Sequence, residues 1–232
     1  MIKLHSFGPS LNMVDPSPFV LKVDVFMRMA NIQFEHVSSL NNLSRAPKGK
    51  LPFIVDGDKT IADSHFIISY LKRKYNVDLD SQLSNEQRHI GYLIAKSLDE
   101  NLYWCLLYSR WADDNCWKYV KEAFFGSMPF PVKSIVPLIV RRGVISALKK
   151  QGMGKHSKEE IKTLAQESFD SLSALLARQK YFFGETPCTF DASAFAFLSE
   201  FILADLENEF NDIARRYDNL VKYCDNMQAR YY

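Results

Sequence analysis

Pro47-Lys48-Gly49-Lys50-Leu51-Pro52-Phe53-Ile54-Val55-Asp56-Gly57-Asp58-Lys59-Thr60-Ile61-Ala62-Asp63-Ser64 is the stretch on which the reading of this chain turns. Phe53 to Val55 and Thr60 to Ala62 are short and apolar or β-branched, and Asp56-Gly57-Asp58 between them has the composition of a tight reversal. Together they predict a hairpin. Directly after it, Ile67, Ile68, Leu71 and Tyr75 recur at helical spacing, so a helix is expected to begin where the second strand stops, at Asp63-Ser64. Pro52, taken alone, reads most simply as a trans proline opening an edge strand.

Upstream, Ile2 to Phe7 alternates as a strand. Ser17-Pro18 then opens a segment with Val20, Val23, Met27 and Ala30 on one face, a helix with Ser at N-cap and Pro at its first position. Phe34 to Val37 supplies a further strand. The order is strand, helix, strand, irregular segment, strand, strand, helix, a βαβ unit followed by a hairpin. Downstream, Val77 to Ser81 has no sustained period and reads as a linker. Ser84-Asn85-Glu86-Gln87 and Ser157-Lys158-Glu159-Glu160 are capping boxes opening long helices. The expected organisation is therefore an α/β domain over 1–78 and an all-α domain over 84–232. Within the latter, the aromatic, proline-bearing stretch from Asn115 to His156 reads as only partly helical.

The chain has 232 residues, 47% of them apolar and 13% aromatic, enough for a real core. Charged residues amount to 24% and leave a net +2, which gives no reason to expect a nucleic-acid partner. The N-terminus lacks the apolar run of a signal peptide, and Arg141-Arg142 split the longest apolar candidate, Ile135 to Leu148, well short of the ~18 residues of a membrane span. A cytoplasmic protein with no membrane span is expected. The four cysteines form no Cys-x-x-Cys pair and the five histidines show no ligand spacing, so no metal is expected.

Three groups of residues can carry chemistry. Asp63-Ser64 sits at a helix start, where free N–H groups and the positive dipole end suit a carboxylate and an adjacent Asp suits an amino group. Asp63 as a plain helix cap is the competing reading. Ser17 also lies at a helix start, so its hydroxyl and the helix dipole can favour a thiolate; alternatively it caps the Val20 N–H. Tyr103, Trp104, Tyr108 and Trp111 recur at helical spacing and can wall an apolar pocket, although such stripes are more often core. Arg141-Arg142, Lys149-Lys150 and Lys155-His156 form a basic cluster that reads as a solvated face.

At Asp15-Pro16-Ser17-Pro18-Phe19-Val20, Ala46 to Phe53, Ile61 to Ser64, Leu102-Tyr103-Trp104 and Phe190-Asp191-Ala192 the chain resembles the glutathione transferase superfamily. More narrowly it is similar to the failed-axon-connections and metaxin-like branch with its bacterial members. The resemblance covers nearly the whole chain and implies a glutathione transferase fold, an α/β thioredoxin-like N-terminal domain followed by an all-α C-terminal domain. It implies a cis-proline at Pro52, a main-chain glutathione contact at Leu51, contacts to the γ-glutamyl end from Asp63 and Ser64, and a glycine-carboxylate contact from Lys50. Ser17 falls at the catalytic serine or cysteine position, so glutathione as co-substrate and a small apolar electrophile as partner follow, with Tyr103, Trp104, Tyr108 and Trp111 as substrate-pocket candidates. A serine there cannot form the mixed disulfide that omega-like relatives make with a cysteine, which disfavours thiol-transferase activity. A helix-capping Asp falls on Asp191, with Cys188 where Ser or Thr is usual, so that capping box is expected to be half made. The resemblance also implies a possible homodimer, and its metaxin-like side implies the alternative of a non-catalytic interaction module.

Overall fold

The computed structural model describes residues 1–232. Strand β1 (Ile2–Ser6) buries Ile2, Leu4 and Ser6 and turns Lys3 outward, the alternation of a strand with one covered face. Helix α1 (Pro18–Met29) leads to β2 (Phe34–Ser38), which pairs parallel with β1 from Ile2↔Phe34 to Ser6↔Ser38. After the four-residue α2 (Asn42–Arg45), β3 (Phe53–Asp56) pairs antiparallel with β1, and β4 (Lys59–Ala62) antiparallel with β3. The sheet order is thus β2-β1-β3-β4. The β3–β4 turn closes over Gly57 and Asp58, and Gly57 takes φ +59°, a value glycine reaches without strain. Helix α3 (Ser64–Tyr75) follows at once, burying Ile67, Ile68 and Leu71.

Everything beyond Asn85 that is regular is helical: α4 (Asn85–Ser97), α5 (Tyr103–Leu107), α6 (Asp114–Phe125), α7 (Val132–Gln151), α8 (Lys158–Leu176), α9 (Thr189–Ile202), α10 (Glu209–Ala214) and α11 (Asp218–Tyr231). Both expected capping boxes form, Ser84 with Gln87 and Ser157 with Glu160. Turns of π-helix at Leu98–Leu102 and Tyr108–Ala112 carry the chain from α4 through α5 without a break. The stretch from Asn115 to His156 is mostly α6 and α7. No helix is long and apolar enough to cross a membrane.

Helix α1 packs between α3 and α9, which explains why ten of its twelve residues are buried, Lys22 and Asp24 among them. Leu21, Val25 and Phe26 are almost wholly enclosed there, each worth about 1.5–3 kcal/mol. A single apolar cluster of 49 residues runs from the sheet into the helical bundle, so the two parts share a core and hold the groove between them rigid. Arg110 lies in that core. Its guanidinium donates to the Glu200 carboxylate at 2.7 Å, to the Glu200 C=O at 2.9 Å and to the Pro16 C=O at 2.9 Å. The helical bundle thereby pins the residue just before Ser17.

Candidate functional site

The start of α1 is built from below. The buried Asp15 carboxylate accepts the N–H groups of Phe7 at 2.8 Å, Gly8 at 2.9 Å and Ser17 at 3.0 Å. Burial, opposed by these donors and assisted by the Glu200 charge, pushes its pKa up to about 8. Gly8 is required at φ +102°, because a Cβ there would come within 2.9 Å of the Ser38 side chain. Ser17 occupies the N-cap position, yet its hydroxyl makes no capping bond. Pro18 has no N–H to offer, and the N–H groups of Phe19 and Val20 find no acceptor in the chain. The first turn of α1 therefore presents one free hydroxyl and two free N–H donors, and the competing reading of Ser17 as a cap on the Val20 N–H does not hold.

The Leu51-Pro52 bond is cis, as the resemblance implied for Pro52 and against the base-rate reading of a lone proline. The Leu51 N–H and C=O have no partner within the chain, whereas Pro52 C=O accepts the Asp63 N–H at 3.3 Å. Asp63 adopts φ +83° and its carboxylate accepts the His65 N–H at 3.0 Å, so it does cap α3. Only one carboxylate oxygen is used, and the other is open to a ligand. Ser64, the first residue of α3, is buried with its hydroxyl unbonded.

These elements face a cleft of about 330 Å³ between the sheet and the helical bundle. Ser17, Lys50, Leu51, Pro52, Asp63, Ser64, Tyr103 and Trp104 all line it. Tyr108 and Trp111 do not, which corrects the expectation for the aromatic stripe. Tyr108 lies one turn beyond the cleft against Phe210, and Trp111 packs with Trp117, Phe124 and Phe125 in a separate small core. The π turn begins at Tyr108 and adds about one residue to that turn, so Trp111 falls out of the helical phase carried by Tyr103 and Trp104. Tyr103 stands edge-on to Phe19 with ring centroids 4.8 Å apart, and burial pushes its phenol up to about 12.

Phe7, Phe19, Leu43, Lys48, Lys96, Asp99 and Glu100 complete the wall and were not singled out by the sequence. The last three lie on the turns just before Tyr103 and Trp104, so the wall continues upstream along the helix, through the π turn at Leu98–Leu102, rather than down. Asp99 is fixed by Lys22 of α1 at 3.0 Å and by Lys96 at 3.2 Å. Burial lowers the Lys22 pKa and the Asp99 charge opposes that. The cleft thus carries cationic side chains at Lys48, Lys50 and Lys96 and carboxylates at Asp63, Asp99 and Glu100, a mixture suited to a zwitterionic, peptide-like ligand.

No cysteine reaches this cleft. All four are buried, and burial raises every thiol, Cys105 to about 12. Asp191 accepts the N–H groups of Cys188 at 2.8 Å and Phe182 at 3.1 Å, while its own N–H donates to the Cys188 C=O at 3.0 Å.

Residues 18–116 match the glutathione S-transferase N-terminal domain family and residues 165–227 match the glutathione S-transferase C-terminal domain family. Over 238 aligned residues the sequence is 30% identical to the isoprene-epoxide–glutathione S-transferase of Rhodococcus sp. (strain AD45), covering 100% of this chain and 99% of that one. The chain belongs to the glutathione S-transferase family. Within the family it is also 31% identical to Failed axon connections of Drosophila melanogaster, over 99% of this chain and 58% of that protein. It is 26% identical to human metaxin-2, over 91% of this chain and 81% of that one. Among solved structures, a β-etherase from Sphingobium sp. strain SYK-6 superposes with a TM-score of 0.66 at 18% identity, covering 98% and 95% of the two chains. A glutathione S-transferase III in apo form gives 0.60 at 17%, covering 98% and 91%. At those identities the likeness shows the glutathione transferase fold alone: a small α/β sheet domain followed by helices.

Proposed function

We propose that this transferase-family protein binds glutathione in the cleft and conjugates it to a small apolar electrophile, an epoxide being the type suggested by the Rhodococcus relative. The observation that carries the reading is the open first turn of α1: the Ser17 hydroxyl and two N–H donors are free and border the same cleft as the unpaired main chain of Leu51. Glutathione would lie as an added strand, its cysteinyl N–H and C=O meeting those of Leu51. Its γ-glutamyl carboxylate would take the start of α3 and the Ser64 hydroxyl, its amino group Asp63, and its glycine carboxylate Lys50. The thiol then loses its proton to water, and the thiolate is stabilised by the Ser17 hydroxyl and the α1 dipole. Sulfur attacks the electrophilic carbon, forming C–S. For an epoxide the C–O bond breaks and the oxygen takes a proton from water. Tyr103 and Trp104 supply the apolar wall.

The reading extends to a cytoplasmic, homodimeric protein, the latter checked by light scattering. The test of binding is a thermal-shift titration with glutathione, since a ligand held only by the folded state raises its stability. A dose-dependent rise with formation of a glutathione–epoxide adduct supports the proposal; a rise without turnover limits it to binding. The metaxin and Failed axon connections relatives favour a second reading, a non-catalytic interaction module, for which neither glutathione nor an S-alkyl glutathione shifts the midpoint.

A further inference from the structure

The solvent face of α7 has two unlike halves. Toward its N-terminus, Ile135, Leu138 and Ile139 are 53%, 56% and 62% exposed, and Phe130 just ahead of the helix is 86% exposed. Continuing along the same face at i+3 and i+4 spacing, Arg142, Ser146, Lys149 and Lys150 follow. The apolar residues are not displaced core, because Val136, Pro137 and Val140 already turn the other side of the helix inward. An exposed apolar patch of this kind marks a contact site.

Charge says what it contacts. Residues 123–158 contain seven Lys and Arg and not one Asp or Glu, in a chain whose total is only +2, so the remainder is net acidic. Lys133, Arg141 and Lys158 pair with Glu122, Asp114 and Asp113 respectively. Arg142, Lys149, Lys150 and Lys155 make no ion pair and stay available.

We infer that α7 seats the protein on an anionic phospholipid surface. Phe130, Ile135, Leu138 and Ile139 would enter the headgroup boundary while Arg142, Lys149 and Lys150 meet lipid phosphates and carboxylates. Two observations favour a bilayer over a partner helix. The apolar side chains are more than half exposed and project from the surface, whereas an amphipathic partner helix is received in a groove. The cations follow the apolar residues along the same solvent face, so when the N-terminal half meets the headgroup boundary Arg142, Lys149 and Lys150 lie over the same anionic surface.

The experiment is vesicle co-sedimentation of the full chain with phosphatidylcholine alone and with phosphatidylcholine–phosphatidylserine mixtures. Binding is expected only to the mixtures. The triple variant Arg142→Glu, Lys149→Glu, Lys150→Glu should weaken it about 100-fold or more, at roughly fivefold per residue. Leu138→Glu with Ile139→Ser should leave attraction at low salt but abolish binding that survives physiological salt. All five positions are solvent-facing, so unfolding midpoints should match the wild type, which separates lost docking from lost fold. Three outcomes overturn the inference: no wild-type binding to the anionic mixtures, binding indifferent to both variants, or a fall in light-scattering mass on Leu138→Glu without vesicle binding, which would assign the face to a second copy.

Discussion

Helices α1 and α9 each begin beside a buried aspartate, and they use it in opposite ways. At α9 the carboxylate of Asp191 sits inside the first turn and accepts two N–H groups, closing that end against the core. At α1 the carboxylate of Asp15 sits two residues ahead of the N-cap, holds the loop by backbone N–H groups, and leaves the Ser17 hydroxyl and the helix donors unused. Burial raises the pKa of both acids. A helix start that is sealed contributes to stability; one that is braced from behind and left open in front is a place for a negatively charged atom.

The largest expected effect tests the brace. Asp15 rises from 3.8 to about 8 in the folded chain, so its contribution is fully present below pH ~4, where both states are protonated, and drains away as pH climbs through 8. The bound is about 6 kcal/mol. Unfolding midpoints of wild type and Asp15→Asn followed from pH 4 to 9 should therefore differ in slope, the wild type losing stability relative to the variant. Parallel curves would mean that Asp15 is not buried as described. Next, Asp191→Ala strips two buried N–H groups of their acceptor and should cost about 3 kcal/mol, some 10 °C in midpoint. Kd for glutathione in the fraction still folded should not change.

Ser17→Ala probes the open end. If the hydroxyl serves the sulfur, conjugation slows about 100-fold, the scale of removing one donor to a developing or bound anion. The midpoint should barely move, although an N-cap Ser→Ala ordinarily costs ~1 kcal/mol. A loss of that size would show the hydroxyl capping the helix after all and would erase the contrast with α9. The smallest effect is at Cys188→Ser, where a hydroxyl is a better acceptor for the Asp191 N–H than a thiol. Chemical denaturation should report a gain of up to about 1 kcal/mol.

Much of the architecture was readable because local signals agreed: a two-residue reversal at Gly57, Ser-x-x-Gln and Ser-x-x-Glu boxes, and Ser-Pro at the start of α1. Residues of the cleft that come from the hairpin and from α1 were readable for the same reason, since each sits at an element's end. What failed to show depended on three-dimensional phase. The π turn that begins at Tyr108 breaks the spacing that put Trp111 on the wall and is invisible to a 3.6-residue count, while Tyr108 lies one turn too far along the helix. Lys96, Asp99 and Glu100 were passed over because charged residues on a helix usually face solvent, whereas Lys22 holds Asp99 from another domain. Helix α7 gave little periodic signal because its first half is apolar on both the inner and the outer side.

The sealed cysteines carry a further meaning for any protein that handles alkylating molecules. With Cys105, Cys116, Cys188 and Cys224 enclosed and held protonated, an electrophile entering the cleft meets no protein sulfur able to compete for it. The only activated thiolate in reach would be the one brought in and carried out with the product. Exposure of the folded chain to an epoxide should therefore leave its four cysteines unmodified, which the intact mass and peptide map would show.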